Sequence, residues 1–101
     1  MELTVGSRWK STVCDTEVIV VRAVDGPVHL GCGGAGMASL ETDVERGTLD
    51  PGLADGTLLG KRYSDEASGL ELLCTKGGAG TLTLEGERLS IKTAKPLPSS
   101  D

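Results

Sequence analysis

The run Val18-Ile19-Val20-Val21-Arg22-Ala23-Val24, closed at once by Asp25-Gly26-Pro27, limits what this chain can fold into more than any other stretch. Side chains branched at Cβ lose rotamer freedom in a helix and pack well on a pleated surface, so the run reads as a buried strand. Asp25-Gly26 supplies a turn, and Pro27 can open a returning strand where its missing N–H is not needed. The expectation is a hairpin whose second leg carries Val28 and Leu30 towards Cys32. Aliphatic residues must also fill the core, because Trp9 and Tyr63 are the sole aromatics and phenylalanine is absent. With 15 glycines and 4 prolines punctuating the apolar runs, long helices have no room to form.

The rest of the chain carries the same signature. Leu82 and Leu84 alternate with threonines, Glu85-Gly86-Glu87 turns, and Leu89 and Ile91 return with polar residues between them, which predicts a second hairpin with one wet face. Leu70 and Leu72 flank Glu71 ahead of Leu73 and Cys74, a strand expected to become buried towards its end. Residues 38–63 are weaker. One helical turn is expected around Thr42 to Arg46, followed by an irregular connection broken at Gly47, Asp50-Pro51-Gly52 and Asp55-Gly56, and then a strand at Thr57 to Arg62. Together these elements predict an all-β fold: a small single-domain barrel or sandwich of antiparallel hairpins, with at most one short helical turn. The domain spans residues 1–95, and residues 96–101 form an extended or frayed tail. A glycine echo, Gly33-Gly34-Ala35-Gly36 and Gly77-Gly78-Ala79-Gly80, follows a cysteine closely each time. It reads either as a duplicated β unit or as two flexible turns.

Charge and length exclude several classes of function. The net charge is −5, with acidic and basic residues interspersed, and no Lys/Arg stripe or stacking aromatics to hold a nucleic acid. No apolar window reaches membrane-spanning length, and the first ten residues lack a secretory pattern, so a cytoplasmic protein is expected. Three cysteines, Cys14, Cys32 and Cys74, are too odd a number for a complete disulfide framework, which fits a reducing compartment.

Chemistry has few candidate carriers. Neither glycine loop opens a helix or ends in Gly-Lys-Ser/Thr, so neither reads as a phosphate cradle. His29 stands in a predicted strand with no evident partner to orient it, and no catalytic residue is assigned. Asp65-Glu66 and Glu85/Glu87 read as solvated turns, and Trp9 and Tyr63 as core or interface anchors.

The segment RWKSTVCDTEVIVVRAVDGPVHLGCGGAGM, residues 8–37, resembles desulforedoxin and the matching N-terminal domain of desulfoferrodoxin. That family has an aromatic-Lys-Cys-x-x-Cys knuckle, a strand, a Gly-rich turn, a second strand and Cys-Cys-Gly-x-x-Met, with four thiolates around iron. Trp9-Lys10 stands at the aromatic-Lys pair, Cys14 at the second knuckle cysteine, Cys32 at the first of the adjacent pair, and Gly34 and Met37 at the trailing Gly and Met. Ser11 and Gly33 replace the other two cysteines. The resemblance therefore implies that the sulfurs of Cys14 and Cys32 meet across neighbouring strand ends, and that an intact four-thiolate centre is lost. Two readings follow. In the first, the chain is a small non-catalytic binding or accessory protein without a cofactor, acting as a homo-oligomer or through a protein partner, with no nucleic-acid or membrane partner. In the second, Cys14, Cys32 and Cys74, with His29 or an aspartate such as Asp15, rebuild a site for zinc or iron in a structural, metal-handling or redox role.

Overall fold

The computed structural model describes residues 1–92, so the expected tail at 96–101 lies outside the described residues. The chain is all-β, built as two antiparallel sheets. β1 (Arg8–Lys10) and β2 (Glu17–Arg22) open the larger, six-stranded sheet, which is completed by β5 (Ala38–Ser39), β6 (Arg62–Asp65), β7 (Leu70–Lys76) and β10 (Ser90–Lys92) in the order β10-β6-β7-β2-β1-β5. The smaller sheet holds β3 (Leu30–Cys32), β4 (Ala35–Gly36), β8 (Leu82–Leu84) and β9 (Glu87–Arg88) in the order β4-β3-β8-β9. Both sheets contribute to one buried cluster, with Val18, Val20, Leu70 and Leu72 from the first and Leu30, Cys32, Leu82 and Leu84 from the second.

The β-branched run does form a strand, but not the expected hairpin. β2 pairs with β1 on one side and β7 on the other, which leaves it no free edge for Leu30–Cys32. The Asp25-Gly26-Pro27 turn, with Gly26 at φ +79°, hands the chain to the other sheet instead. The N-terminus guides that crossing: the Val28 N–H donates to the Met1 carbonyl at 2.8 Å, and Glu2 bridges to Pro27.

The hairpin at the C-terminal side forms as expected around Glu85-Gly86, both at positive φ, a two-residue loop whose twist suits antiparallel strands. Its return leg then splits. Glu87 and Arg88 stay with β8, whereas Ser90–Lys92 crosses back to pair with β6. The wet residues sit on β9, and β8 is buried throughout.

Three further expectations are corrected. No helical turn forms at 42–46, where Val44 is exposed and no apolar face exists to bury. A 3-10 turn lies instead at Pro51–Leu53, where proline opens the turn and the Asp50 carboxylate accepts from the Gly52 N–H at 2.9 Å. Thr57 makes only an isolated bridge, to Gly78, and Leu58 to Lys61 turn, with Gly60 at φ +82° and Lys61 N–H donating to the Leu58 carbonyl; the strand starts at Arg62. β7 is buried at its start and exposed at Thr75 and Lys76, the reverse of the expected order, because its first residues face the shared core and its last run out past the end of β6 while still paired with β2.

The irregular connection is nonetheless fixed. Asp50 N–H donates to the Gly33 carbonyl, Thr81 N–H to the Leu53 carbonyl, and Arg88 reaches both the Asp55 carboxylate and the Gly52 carbonyl. These bonds tie residues 50–55 to the smaller sheet.

Candidate functional site

Two local features bring the chemistry together. Lys10 and Glu17 close the β1–β2 ladder, and residues 11–16 loop beyond it, held at the base by Ser11 N–H donating to the Thr16 carbonyl at 2.8 Å. Within this loop the Ser11 hydroxyl oxygen accepts from the N–H groups of Val13 and Cys14, both at 3.1 Å, which turns Cys14 inward. On the other sheet Cys32 ends β3 and pairs with Ala35 across Gly33-Gly34, whose φ values of +66° and +91° make the tight turn that side chains with a Cβ resist.

The two sulfurs meet where these features face each other. Cys14 Sγ lies 3.8 Å from Cys32 Sγ, the juxtaposition expected from the sequence, and the contact joins the loop of one sheet to a strand end of the other. Both residues are buried: Cys14 retains 7% of its accessible surface and Cys32 none.

A third segment completes the surroundings. Gly80 N–H donates to Cys14 Sγ at 3.3 Å, and a Cβ on Gly80 would stand 2.8 Å from Cys32 Sγ and 3.1 Å from Cys14 Sγ. Gly33 N–H donates to the Thr81 carbonyl next door at 3.0 Å. The two copies of the glycine echo therefore meet at Gly33 and Gly80, where the Cβ position of Gly80 lies 3.0 Å from Gly33 N and close to both sulfurs. Thr16 Oγ1 sits 3.3 Å from Cys14 Sγ and is bonded in turn to the Thr57 hydroxyl.

The environment treats the two thiols differently. Burial raises the pKa of Cys14, but hydrogen bonding with the Ser11 and Thr16 side chains and with the Thr16 and Gly80 backbone outweighs it, leaving a value of about 7. Cys32 is pushed up to about 12, first by burial and then by the Cys14 charge beside it. The surroundings thus favour the anionic form at Cys14 and the thiol at Cys32. Sequence reasoning noted Ser11 only as a missing cysteine and did not single out Thr16, Thr57 or Gly80. The position of Gly80 in the echo was the available signal; Thr16 and Thr57 come from loops whose meeting no local pattern encodes.

The other expected site residues go elsewhere. Cys74 is buried on β7, where its Sγ donates to the Lys76 carbonyl at 3.2 Å, and its pKa is raised, chiefly by burial. His29 is exposed ahead of β3, and its backbone N–H donates to Glu85 Oε1 at 2.7 Å. Asp15 is exposed and paired with Arg46 at 2.9 Å. Among the described residues, no three His, Cys, Asp or Glu side chains are grouped to hold a metal ion.

A four-thiolate centre does not fit these residues. With metal–sulfur bonds of about 2.3 Å, one edge of a tetrahedron measures about 3.8 Å, so the two sulfurs match a single edge. The remaining corners fail. The Ser11 oxygen is engaged by two backbone N–H groups, and a Cβ on Gly33 would fall 2.5 Å from Leu49 Cδ1 and 2.7 Å from Val13 Cγ2.

No family model, curated protein or solved structure matches the chain. No helix among the described residues is long and apolar enough to cross a membrane.

Proposed function

We propose that the chain is a small, non-catalytic binding or accessory protein of the cytoplasm, built on a desulforedoxin-like β unit whose metal site has become a packed seam. It acts by associating with a second copy of itself, and failing that with a protein partner. The observation that carries this reading is the exposed apolar side chains around β6 and β10 of the larger sheet. Leu58 and Leu59 sit side by side in the turn before β6, 56% and 69% exposed. Leu58 N–H donates to the Tyr63 hydroxyl, and across the ladder from Tyr63 stands Ile91 on β10, 44% exposed. Scattered exposed leucines are ordinary, but an adjacent exposed pair offers concentrated apolar area to a second chain. The net charge of −5 disfavours nucleic acid as that partner.

The alternative, a rebuilt zinc or iron site, needs Cys74 or His29 to join the Cys14–Cys32 pair. Cys74 Sγ is engaged by the Lys76 carbonyl and His29 is exposed, so the grouped residues favour the accessory reading. Sedimentation velocity over a concentration series tests it. The full chain is expected to sediment as a dimer, and replacing both Leu58 and Leu59 by Ser to weaken association at least about tenfold, the loss of roughly 1.4 kcal/mol or more of apolar contact. A wild-type chain that stays monomeric throughout, or a variant that dimerises as well as wild type, contradicts self-association.

A further inference from the structure

We propose that Cys14 and Cys32 form an oxidant-responsive pair, which a small neutral peroxide converts into a disulfide linking the two sheets. The inference rests on placement and is independent of how the chain associates. The sulfurs are in contact at 3.8 Å, and their residues are 18 positions apart, Cys14 in the loop between β1 and β2 of the larger sheet and Cys32 at the end of β3 in the smaller. Bridging them requires an approach to about 2.05 Å, a movement of under 2 Å that side-chain rotation can share between two residues at strand and loop ends.

The surroundings assign an order to the reaction. Cys14 keeps a trace of exposure and Cys32 has none, so a reagent the size of hydrogen peroxide meets Cys14 first. Hydrogen bonding with Ser11, Thr16 and Gly80 supports the anionic form of that sulfur, while Cys32 remains a thiol. The Cys14 thiolate attacks one peroxide oxygen and the O–O bond breaks; the departing hydroxide takes a proton from solvent and leaves as water, with Cys14 now a sulfenic acid. The Cys32 sulfur then attacks Cys14 Sγ. The S–S bond forms as the S–O bond breaks, and the second hydroxide leaves as water with the Cys32 proton. Two electrons pass from the sulfurs to the peroxide.

Two features make the pair suited to this step. Gly80, without a Cβ, leaves the sulfurs room to rotate, since a methyl group there would press on both. Cys74 provides an internal control, a third buried thiol whose sulfur donates to the Lys76 carbonyl.

The test exposes the reduced full chain to hydrogen peroxide, blocks remaining thiols by alkylation, and maps peptides by mass spectrometry. The expected product is a single Cys14–Cys32 disulfide with Cys74 alkylated, formed at least about tenfold faster than in the same chain unfolded in guanidinium, because folding holds the sulfurs in contact. The oxidised form should melt higher by about 10 °C, as closing the intervening loop restricts the unfolded chain. Cys74→Ser should leave the disulfide intact. Cys32→Ser should trap a sulfenic acid on Cys14 that a cyclic diketone labels, whereas Cys14→Ser should leave Cys32 unlabelled. A bridge to Cys74, equal rates in folded and unfolded chains, alkylatable Cys14 and Cys32 after peroxide, label on Cys32 in the Cys14→Ser variant, or an oxidised form that melts lower would each overturn the proposal.

Discussion

Cys14 and Cys32 show how far one local environment can separate two identical side chains. Their sulfurs touch, yet hydrogen bonding holds Cys14 at about 7 and burial pushes Cys32 up to about 12, from a common ordinary value of 9.0. Linkage then fixes how stability follows pH. Cys14, depressed in the folded state, adds stability above pH 9 that is lost as pH falls through about 7. Cys32 and Cys74, both raised, act the other way: the unfolded chain ionises them above pH 9 while the folded chain resists, so stability declines beyond that point. The cysteine contribution should therefore rise from pH 7 to pH 9 and fall at higher pH. Thiolate ultraviolet absorbance of the native protein checks the origin of the rise. One group titrating near pH 7, and missing in Cys14→Ser, is the expected result, whereas all three thiols titrating together near pH 9 would contradict it.

At the scale of elements, the difference between a strand and a turn has a measurable consequence. Leu72 is fully buried at the centre of β7, and its truncation to Ala should cost about 2–5 kcal/mol in urea unfolding, as core leucines do. Leu58, in a segment that sequence periodicity reads as a strand but which is a turn, should cost less than about 0.5 kcal/mol when changed to Ala. A large loss at Leu58 would show that this segment packs as a core strand.

The two leucines also mark what the sequence could convey. Val18 and Val20, Leu70 and Leu72, and Leu82 and Leu84 each alternate or run in patterns that only strands bury well, and all three segments are strands. Thr57-Leu58-Leu59 has similar local composition, and only the Lys61 N–H bond to the Leu58 carbonyl and the positive φ of Gly60 decide otherwise. Pairing was less legible than strand existence. Asp25-Gly26-Pro27 and Glu85-Gly86 both mark turns, but the first serves a crossing between sheets, because β1 and β7 had already claimed both edges of β2. No local pattern records that competition. At the site, the resemblance in residues 8–37 pointed to Cys14 beside Cys32, whereas Gly80 and Thr57 arrive from distant loops.

On the scale of the whole molecule, the cysteine pair occupies the seam between the two sheets, with a loop of one sheet, a strand end of the other and the Gly77–Gly80 connection converging on it. A seam of this kind can be held by an ion or by packing. Packing is favoured here by the glycine at position 33, which leaves no space for a fourth ligand, and by the serine at position 11, which is spent on its own loop. Metal content of the full chain, purified without chelator and counted beside its thiols, is the most direct measurement. The expected result is far less than one zinc or iron per chain, with all three cysteines reacting once the protein is denatured. One tightly held metal per chain, released together with newly reactive thiols on chelation, would contradict the packed seam.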